Sequence, residues 1–240
     1  MAFSDSLDLL HAQISTLFIL DNAGDLRAVN EEATDLNVPY VFVGRTASDV
    51  LIRFRNDIQR TMRIQLVDLL NRGSRPGLDA APGLTGDVCR LFEREGFELD
   101  SIWEGPAYSF AYTGSQTTTT IEIDESNHNI LEAHFGDLAN QVCSVRPCVV
   151  VARNGVAVSA CWTARRSNLA AECGVETAEG FRNQGFAALA VGAWAGLTIG
   201  RGLKPLYSTS FDNRASMALA RHLGLVHYAT DFHVAGATRK

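Results

Sequence analysis

The sequence predicts an α/β (α+β) protein in which a smaller α/β region precedes a larger one. Three observations carry this expectation. Between Cys148 and Val234, segments with strand spacing alternate with segments of helical spacing. Asn154-Gly155 is the strongest hairpin signal in the chain, because both residues of such a turn must take φ > 0. Finally, 46% of the 240 residues are apolar and 20% charged. Surface scaling then puts roughly 70% of the extended chain's surface inside, a core that needs neither disulfides nor metals.

The N-terminal part opens with an acidic amphipathic stretch, Ser4–Gln13. Thr16–Leu20 and Leu26–Asn30 flank the turn cluster Asp21–Asp25 and read as a β-hairpin with a longer loop. Tyr40–Val43 and Val50–Phe54 are further strands. Asn56 or Asp57 can cap a helix from Ile58 to about Leu70, where Met62, Leu66, Leu69 and Leu70 keep helical spacing. Asn71–Asp87, with four Gly and two Pro in seventeen residues, reads as a loop or linker. A helix at Val88–Glu95, an extended aromatic stretch Trp103–Tyr112 and a Thr-rich strand at Gln116–Thr120 follow.

In the C-terminal half, Asn129–Gln141 is expected to be helical. Cys148–Ala152 and Val156–Thr163 form the hairpin about Asn154-Gly155, and Leu169–Thr177 is the next strand. A helix from about Gln184 to Ile199, a strand at Leu206–Ser210, a helix at Asn213–Leu223 and a strand at Val226–Val234 complete the chain. The boundary between the two regions falls near residue 104, giving 1–104 and 105–240.

Charge and composition exclude several functions. Lys and Arg number 21 against 27 Asp and Glu, a net charge of −6, so the chain as a whole offers no footprint for nucleic acid or an anionic membrane. The first ten residues carry Asp5 and Asp8, no Lys or Arg and no long apolar run, so no secretory leader is expected. The most apolar run, Gly185–Gly200, is shorter than the roughly 20 residues a membrane crossing needs. Five cysteines without a CxxC pair read as buried reduced thiols. These features together suit a cytoplasmic protein.

The segment that carries chemistry is Arg182-Asn183-Gln184-Gly185-Phe186-Ala187, between the strand Leu169–Thr177 and the long helix. A loop entering a helix N-terminus presents unpaired N–H groups and the positive end of the helix dipole, which suits a pyrophosphate. Gly185 removes the side chain where a phosphate must approach, small Ala187 does nearly the same, and Arg182 can add a charge-assisted bond. An ordinary capped helix start fits these residues as well. Gly192, Gly196 and Gly200, four apart, make a smooth helix face that can lie close to a sheet. Asn213 caps the following helix, or its amide reaches a ligand between diverging strands.

In this order and spacing the chain resembles the GNAT superfamily of N-acetyltransferases. The resemblance rests on Asn154-Gly155, Glu172–Thr177 (ECGVET), Arg182–Val191 (RNQGFAALAV), Asn213, Ser216 and Leu223-Gly224-Leu225, across roughly Ile123–Val234. It implies a mixed, strongly twisted sheet flanked by helices, with two central strands splayed apart and acetyl-CoA, a co-substrate, lying in the gap. Pantetheine would pair with the backbone of Val175, Glu176 and Thr177. The pyrophosphate would sit on amides of Gln184, Gly185, Phe186 and Ala187, with Arg182 and Asn183 in the loop and Asn213 nearby. The amine would attack the thioester directly in a ternary complex, a carboxylate taking its proton and an acid protonating the leaving thiolate.

Glu172 and Glu176 are the candidate bases, with Glu172 preferred because it lies further from the phosphate loop; its spacing to Thr177 is one residue off the family pattern. A solvated or salt-bridged strand carboxylate is the alternative for each. Many members carry a tyrosine as acid where this chain has Ala220; Ser216, Tyr207 and Tyr228 are the available substitutes, and Ser216 and Tyr228 join Glu172 as the catalytic set. Asn183 stands where Gly is common and Thr177 where an apolar residue is usual.

His222, His227 and His233 match no metal-ligand spacing, and no metal is expected. Arg53 and Arg55 read as a solvated face or as a grip on an acidic acceptor group. Trp103, Tyr108 and Tyr112 either line an acceptor pocket or pack between the halves. The acceptor is a small-molecule or peptide amine, and an exposed strand edge in the C-terminal half would suit a homodimer. The competing class is a non-catalytic acyl-CoA-binding or interaction module, which the missing tyrosine at Ala220 favours. The N-terminal region is then an accessory, acceptor-binding or degenerate acyltransferase-like domain by fold analogy alone.

Overall fold

The computed structural model describes residues 5–31, 38–73, 77–111 and 120–236; the expectations placed on Tyr112 and on residues 116–119 lie outside them. The elements run α1 (Ser6–Leu17), β1 (Phe18–Leu20), β2 (Leu26–Val29), β3 (Val41–Arg45), β4 (Val50–Phe54) and α2 (Arg60–Gly73). Next come α3 (Pro82–Arg94), β5 (Ser101–Ser109), β6 (Thr120–Glu122), α4 (Gly136–Ala139), β7 (Cys148–Arg153), β8 (Val156–Arg166) and β9 (Ala170–Thr177). The chain closes with α5 (Phe186–Gly200), β10 (Lys204–Ser208), α6 (Arg214–His222) and β11 (Val226–Ala235). Two compact units emerge: Met1–Tyr108, Ser208–Arg214 and His227–Lys240 in the first, Ser109–Tyr207 and Ala215–Val226 in the second.

In the first unit, Asp5 caps α1 by accepting from the Leu7 amide at 3.1 Å, and Leu10, Gln13, Ile14 and Leu17 form its buried stripe. β1 and β2 pair antiparallel about a turn in which Asp21 Oδ1 accepts from the Ala23 and Asp25 amides. The strands run in the order β4-β3-β11-β5. Against them, Met62, Leu66 and Leu70 of α2 and Leu84, Val88 and Phe92 of α3 share a core with Val41, Val43, Phe232 and Val234.

Three expectations change here. α3 starts at Pro82 rather than Val88, because proline at the first helical position has its φ preset; Gly83 and Gly86 disguised that turn as loop. Asp57 does not cap α2: its carboxylate pairs with Arg55 at 2.7 Å. Arg55 itself is buried, its guanidinium 4.3 Å from the Tyr40 ring centroid and donating to Val38 O, so it is no solvated face.

Gly105 of β5 lies against the backbone of Thr209 and Ser210, which continues the ladder through Thr209 N–H to Pro106 O at 3.2 Å. A Cβ at position 105 would stand 1.9 Å from Thr209 O and 2.8 Å from Ser210 Cα. Both obstacles are backbone, so they cannot swing aside. Gly105→Ala is expected to destabilise the protein by about 3 kcal/mol, a fall in Tm on the order of 10 °C in thermal unfolding.

The second unit has the strand order β10-β9-β8-β7-β6. β10 is parallel to β9 and the other neighbours are antiparallel, so the sheet is mixed. Asn154 (φ 52°) and Gly155 (φ 80°) make the β7–β8 turn as expected. Trp194 of α5 is fully buried and donates to Thr163 Oγ1 at 3.1 Å. The glycine face of α5 is not the close one: a Cβ at Gly192 or Gly200 would meet open space, while Ala190, Ala193 and Trp194 are buried.

The helix expected over 129–141 is replaced by a 3-10 turn at His128–Leu131 and the four-residue α4. The helical spacing of Leu131, Phe135, Ala139 and Val142 is kept for burial. Asn127, bonded to the Asp124 amide and Glu122 O, and Gly136, a poor helix former, divide the stretch. Among the described residues no helix is long and apolar enough to cross a membrane.

Candidate active site

All parts of the candidate site described first lie in the second unit. β9 ends at Thr177, a 3-10 turn spans Glu179–Phe181, and Arg182 to Gly185 lead into α5. Asn183 (φ 60°) and Gly185 (φ 78°) are left-handed, and such alternation gathers successive amides into an anion-binding concavity. Among the described residues, no protein acceptor takes the N–H groups of Gln184, Gly185, Phe186 or Ala187. A Cβ on Gly185 would meet nothing within 4 Å, so the space above these amides is open.

Two cations flank the concavity. Arg182 is exposed and its Nε donates to Thr177 O at 3.2 Å, leaving the guanidinium tip available. Arg153, at the end of β7, lies with its guanidinium 4.7 Å from the ring centroid of Phe186, the first residue of α5. Residue spacing holds no hint of Arg153, because only the crossing of α5 over β7 brings it there. Arg153→Ala is expected to weaken binding of pyrophosphate at this loop about five-fold, within the range of one partly exposed charge-assisted contact, measured by titration calorimetry and shrinking with added salt.

The second feature is a gap. β9 and β10 pair only from Ala170/Lys204 through Glu172/Leu206. β9 runs on for five residues, held on its other side by β8 from Cys173/Thr163 to Thr177/Ser159. Ser159 fastens the far end: its hydroxyl donates to Glu176 O at 3.1 Å and lies 2.8 Å from Thr177 Oγ1. Midway, Gly174 faces the Trp162 indole so closely that a Cβ would stand 2.6 Å from it. From Cys173 to Thr177, then, the edge of β9 toward β10 is open for another extended chain to pair with.

Two strand levels meet the end of the pairing, Glu172 on one face of the sheet and Cys173 with Tyr207 on the other. Glu172 is 5% exposed and Tyr207 is 3% exposed, Cys173 is buried and Ser216 of α6 is half-buried. Tyr207 hydrogen-bonds Ser216. Burial pushes the Tyr207 phenol well above its ordinary pKa; the Ser216 bond opposes this, and the neighbouring Cys173, Cys161 and Glu172 add to it. Burial, then a hydrogen bond with Cys173, likewise raises the Cys161 thiol, which keeps it protonated and unreactive. A register shift between Thr163 and Arg165 sets Arg165 opposite Glu172. Glu176, by contrast, is exposed near the loop, so environment separates the two candidate carboxylates.

Two candidates fall in the first unit. Tyr228 is buried and its hydroxyl donates to Gln13 Oε1 at 2.9 Å, while Gln13 donates to Asp231 at 3.4 Å. Asn213 precedes α6, its amide donating to Ser210 O at 3.1 Å. In the same unit Trp103 stacks on His233 and Tyr108 tilts against His227. A groove of about 950 Å³ between α2 and α3 is lined by charges that already have partners, Arg90 with Asp87 and Arg94 with Glu95 and the Gln65 amide. Among the described residues no group of three or more His, Cys, Asp or Glu could hold a metal ion.

The sequence model of GNAT acetyltransferases matches residues 111–231, half of the 240-residue chain. No curated protein matches the chain. Among solved structures, a GCN5-related N-acetyltransferase from Kribbella flavida is similar at 14% identity and a TM-score of 0.49, over 99% of this chain and 98% of that one. A GCN5-related N-acetyltransferase-like protein from Streptococcus suis is similar at 15% identity and a TM-score of 0.48, over 85% of this chain and 86% of that one. An acetyltransferase from the GNAT family from Colwellia psychrerythraea is similar at 13% identity and a TM-score of 0.46, over 98% of each chain.

Proposed function

Because the chain belongs to the GNAT acetyltransferase family, we propose that it transfers the acetyl group of acetyl-CoA to the nitrogen of a small-molecule or peptide amine, directly, within a ternary complex. The observation that carries this reading is the early end of the β9–β10 ladder at Glu172/Leu206, with the anion-binding loop at one end of the opened edge and a buried carboxylate at the other.

The dimensions agree with the substrate. From Thr177 to Cys173 the strand spans roughly 13 Å. The pantetheine chain from phosphate oxygen to sulfur has the backbone length of about four residues, roughly 14 Å. With its pyrophosphate on the amides of Gln184–Ala187, between Arg182 and Arg153, the thioester would stand beside Cys173 and Glu172. The N–H and C=O groups of Val175 and the N–H of Thr177, on the edge away from β8, would pair with the pantetheine amides, while Glu176 between them is held by Ser159. Glu172 would take the proton of the attacking amine, and backbone N–H groups along the β9 edge would stabilise the oxyanion.

Ala220, fully buried in α6, favours a second reading, a module that binds acyl-CoA without turning it over. The two separate in one experiment. Incubating the protein with acetyl-CoA and a broad amine panel, with free thiol followed over time, yields amine-dependent CoA release from an enzyme. A binding module shows a titration signal and no release.

A further inference from the structure

We propose that Arg165, delivered across from Glu172 by a bulge in β8, is a positioning residue that holds the Glu172 carboxylate ionised; this rests on the reading of Glu172 as base above. Up to Thr163/Cys173 the β8–β9 ladder runs residue for residue, and the next pair is Arg165/Glu172. An unbroken ladder would set Ala164 across from Glu172. The extra residue puts a cation there instead, at the level where β10 leaves β9 after Glu172/Leu206. Bulges re-aim a side chain in this way, and directly opposed residues of an antiparallel pair share a face with Cβ atoms about 5 Å apart.

Burial gives the bulge its purpose. Glu172 is 5% exposed, and a carboxylate withdrawn from water ionises only where an opposite charge or hydrogen bonds offset the lost solvation. Ala170 and Gly174, its neighbours on the same face of β9, carry no charge, and Glu176 is exposed about 13 Å further along. The 3-10 turn His128–Leu131 and α4 pack on this face, where Leu131, Phe135 and Ala139 share a core with Ala160 and Trp162. Their residues Glu132, His134 and Asp137 are exposed, and His128 is bonded to Glu125 O at 3.0 Å. From β10, Lys204 pairs with Ala170 and so stands diagonal to Glu172, at about 7–8 Å. Tyr207 feels the Glu172 charge as a phenol that burial keeps neutral. Arg166 pairs with Ala171 on the opposite face, the face that α5 and α6 meet through Trp194 to Thr163 and Ser216 to Tyr207.

The test follows kcat against pH, using acetyl-CoA and an amine that the unsubstituted protein acetylates. The acid limb that Glu172→Gln removes reports ionisation of the base. A nearby opposite charge lowers a carboxylate pKa by about 1–3 units, so in Arg165→Gln the limb is expected at least about one pH unit higher. Above that limb kcat should recover, with the acetyl-CoA Kd unchanged. Arg165→Lys should keep the limb nearly in place, and Lys204→Gln should move it less than half as far as Arg165→Gln. Thermal unfolding near pH 8 gives a readout independent of turnover. Arg165→Gln is expected to lower Tm by about 5 °C with Glu172 present, and to change it little beside Glu172→Gln, where no buried charge is left to answer. An unmoved limb in Arg165→Gln overturns the proposal, as does an equal shift in Lys204→Gln. Equal Tm losses in the two backgrounds overturn it too, by making Arg165 a packing residue. If Arg165→Gln does not fold, folding of the double variant supports the proposal and its failure overturns it. Undiminished turnover in Glu172→Gln overturns the base reading, and acetyl-CoA binding with no amine acetylated overturns the transferase reading; this inference falls with either.

Discussion

Glu172→Gln is expected to lower amine-dependent CoA release about 100-fold, the lower end of what general-base catalysis contributes, with acetyl-CoA affinity nearly unchanged. The substitution keeps the shape of a side chain that is 5% exposed and removes only its capacity to accept a proton. Glu176→Gln is the matched control, because Glu176 is exposed and lies one residue from the end of β9; its turnover should fall by less than about three-fold, as for a solvated carboxylate. Rates for both variants and their acetyl-CoA titrations check the pair. Equal losses in the two would remove Glu172 from the role of base.

Gly185→Glu is expected to weaken acetyl-CoA binding at least about 100-fold, some 2.7 kcal/mol, by setting a carboxylate over the amides of Gln184–Ala187. The fold should survive, since a Cβ at this position meets nothing within 4 Å. The cost lies in the backbone, because at φ 78° a side chain brings about 1–2 kcal/mol of strain. Gly185→Ala shares the strain without the charge, so its Kd should rise by less than about ten-fold. Titration calorimetry of both variants, with circular dichroism to verify folding, separates the charge from the strain.

Much of this architecture is legible in local chemistry. Asn154-Gly155 announces its turn because few residues adopt two successive positive φ values, and the start of α5 is marked by the left-handed Gly185. Where the reading failed, tertiary burial overrode local preference. Phe135 and Ala139 are buried by two short helical pieces divided at Gly136, and Pro82 opens a helix inside a stretch whose glycines suggested a loop.

The site divides along the same line. The proposed phosphate loop is contiguous in the chain, so its candidates at residues 182–187 stand together in the sequence. Tyr207 and Glu172 flank the end of the β9–β10 pairing only because β10 leaves β9 after Leu206, and that divergence has no local signal. Arg153 reaches Phe186 through the crossing of α5 over the sheet, and spacing could not expose it. Tyr228, placed in the catalytic set from the sequence, donates its hydroxyl to Gln13 in the first unit.

The most direct test is calorimetric titration of the unsubstituted protein with acetyl-CoA. The site built from the open β9 edge and the Gln184–Ala187 amides predicts saturable binding of one molecule per chain, weakened by salt. Absence of binding in a folded sample would contradict the acetyl-CoA reading of the gap between β9 and β10.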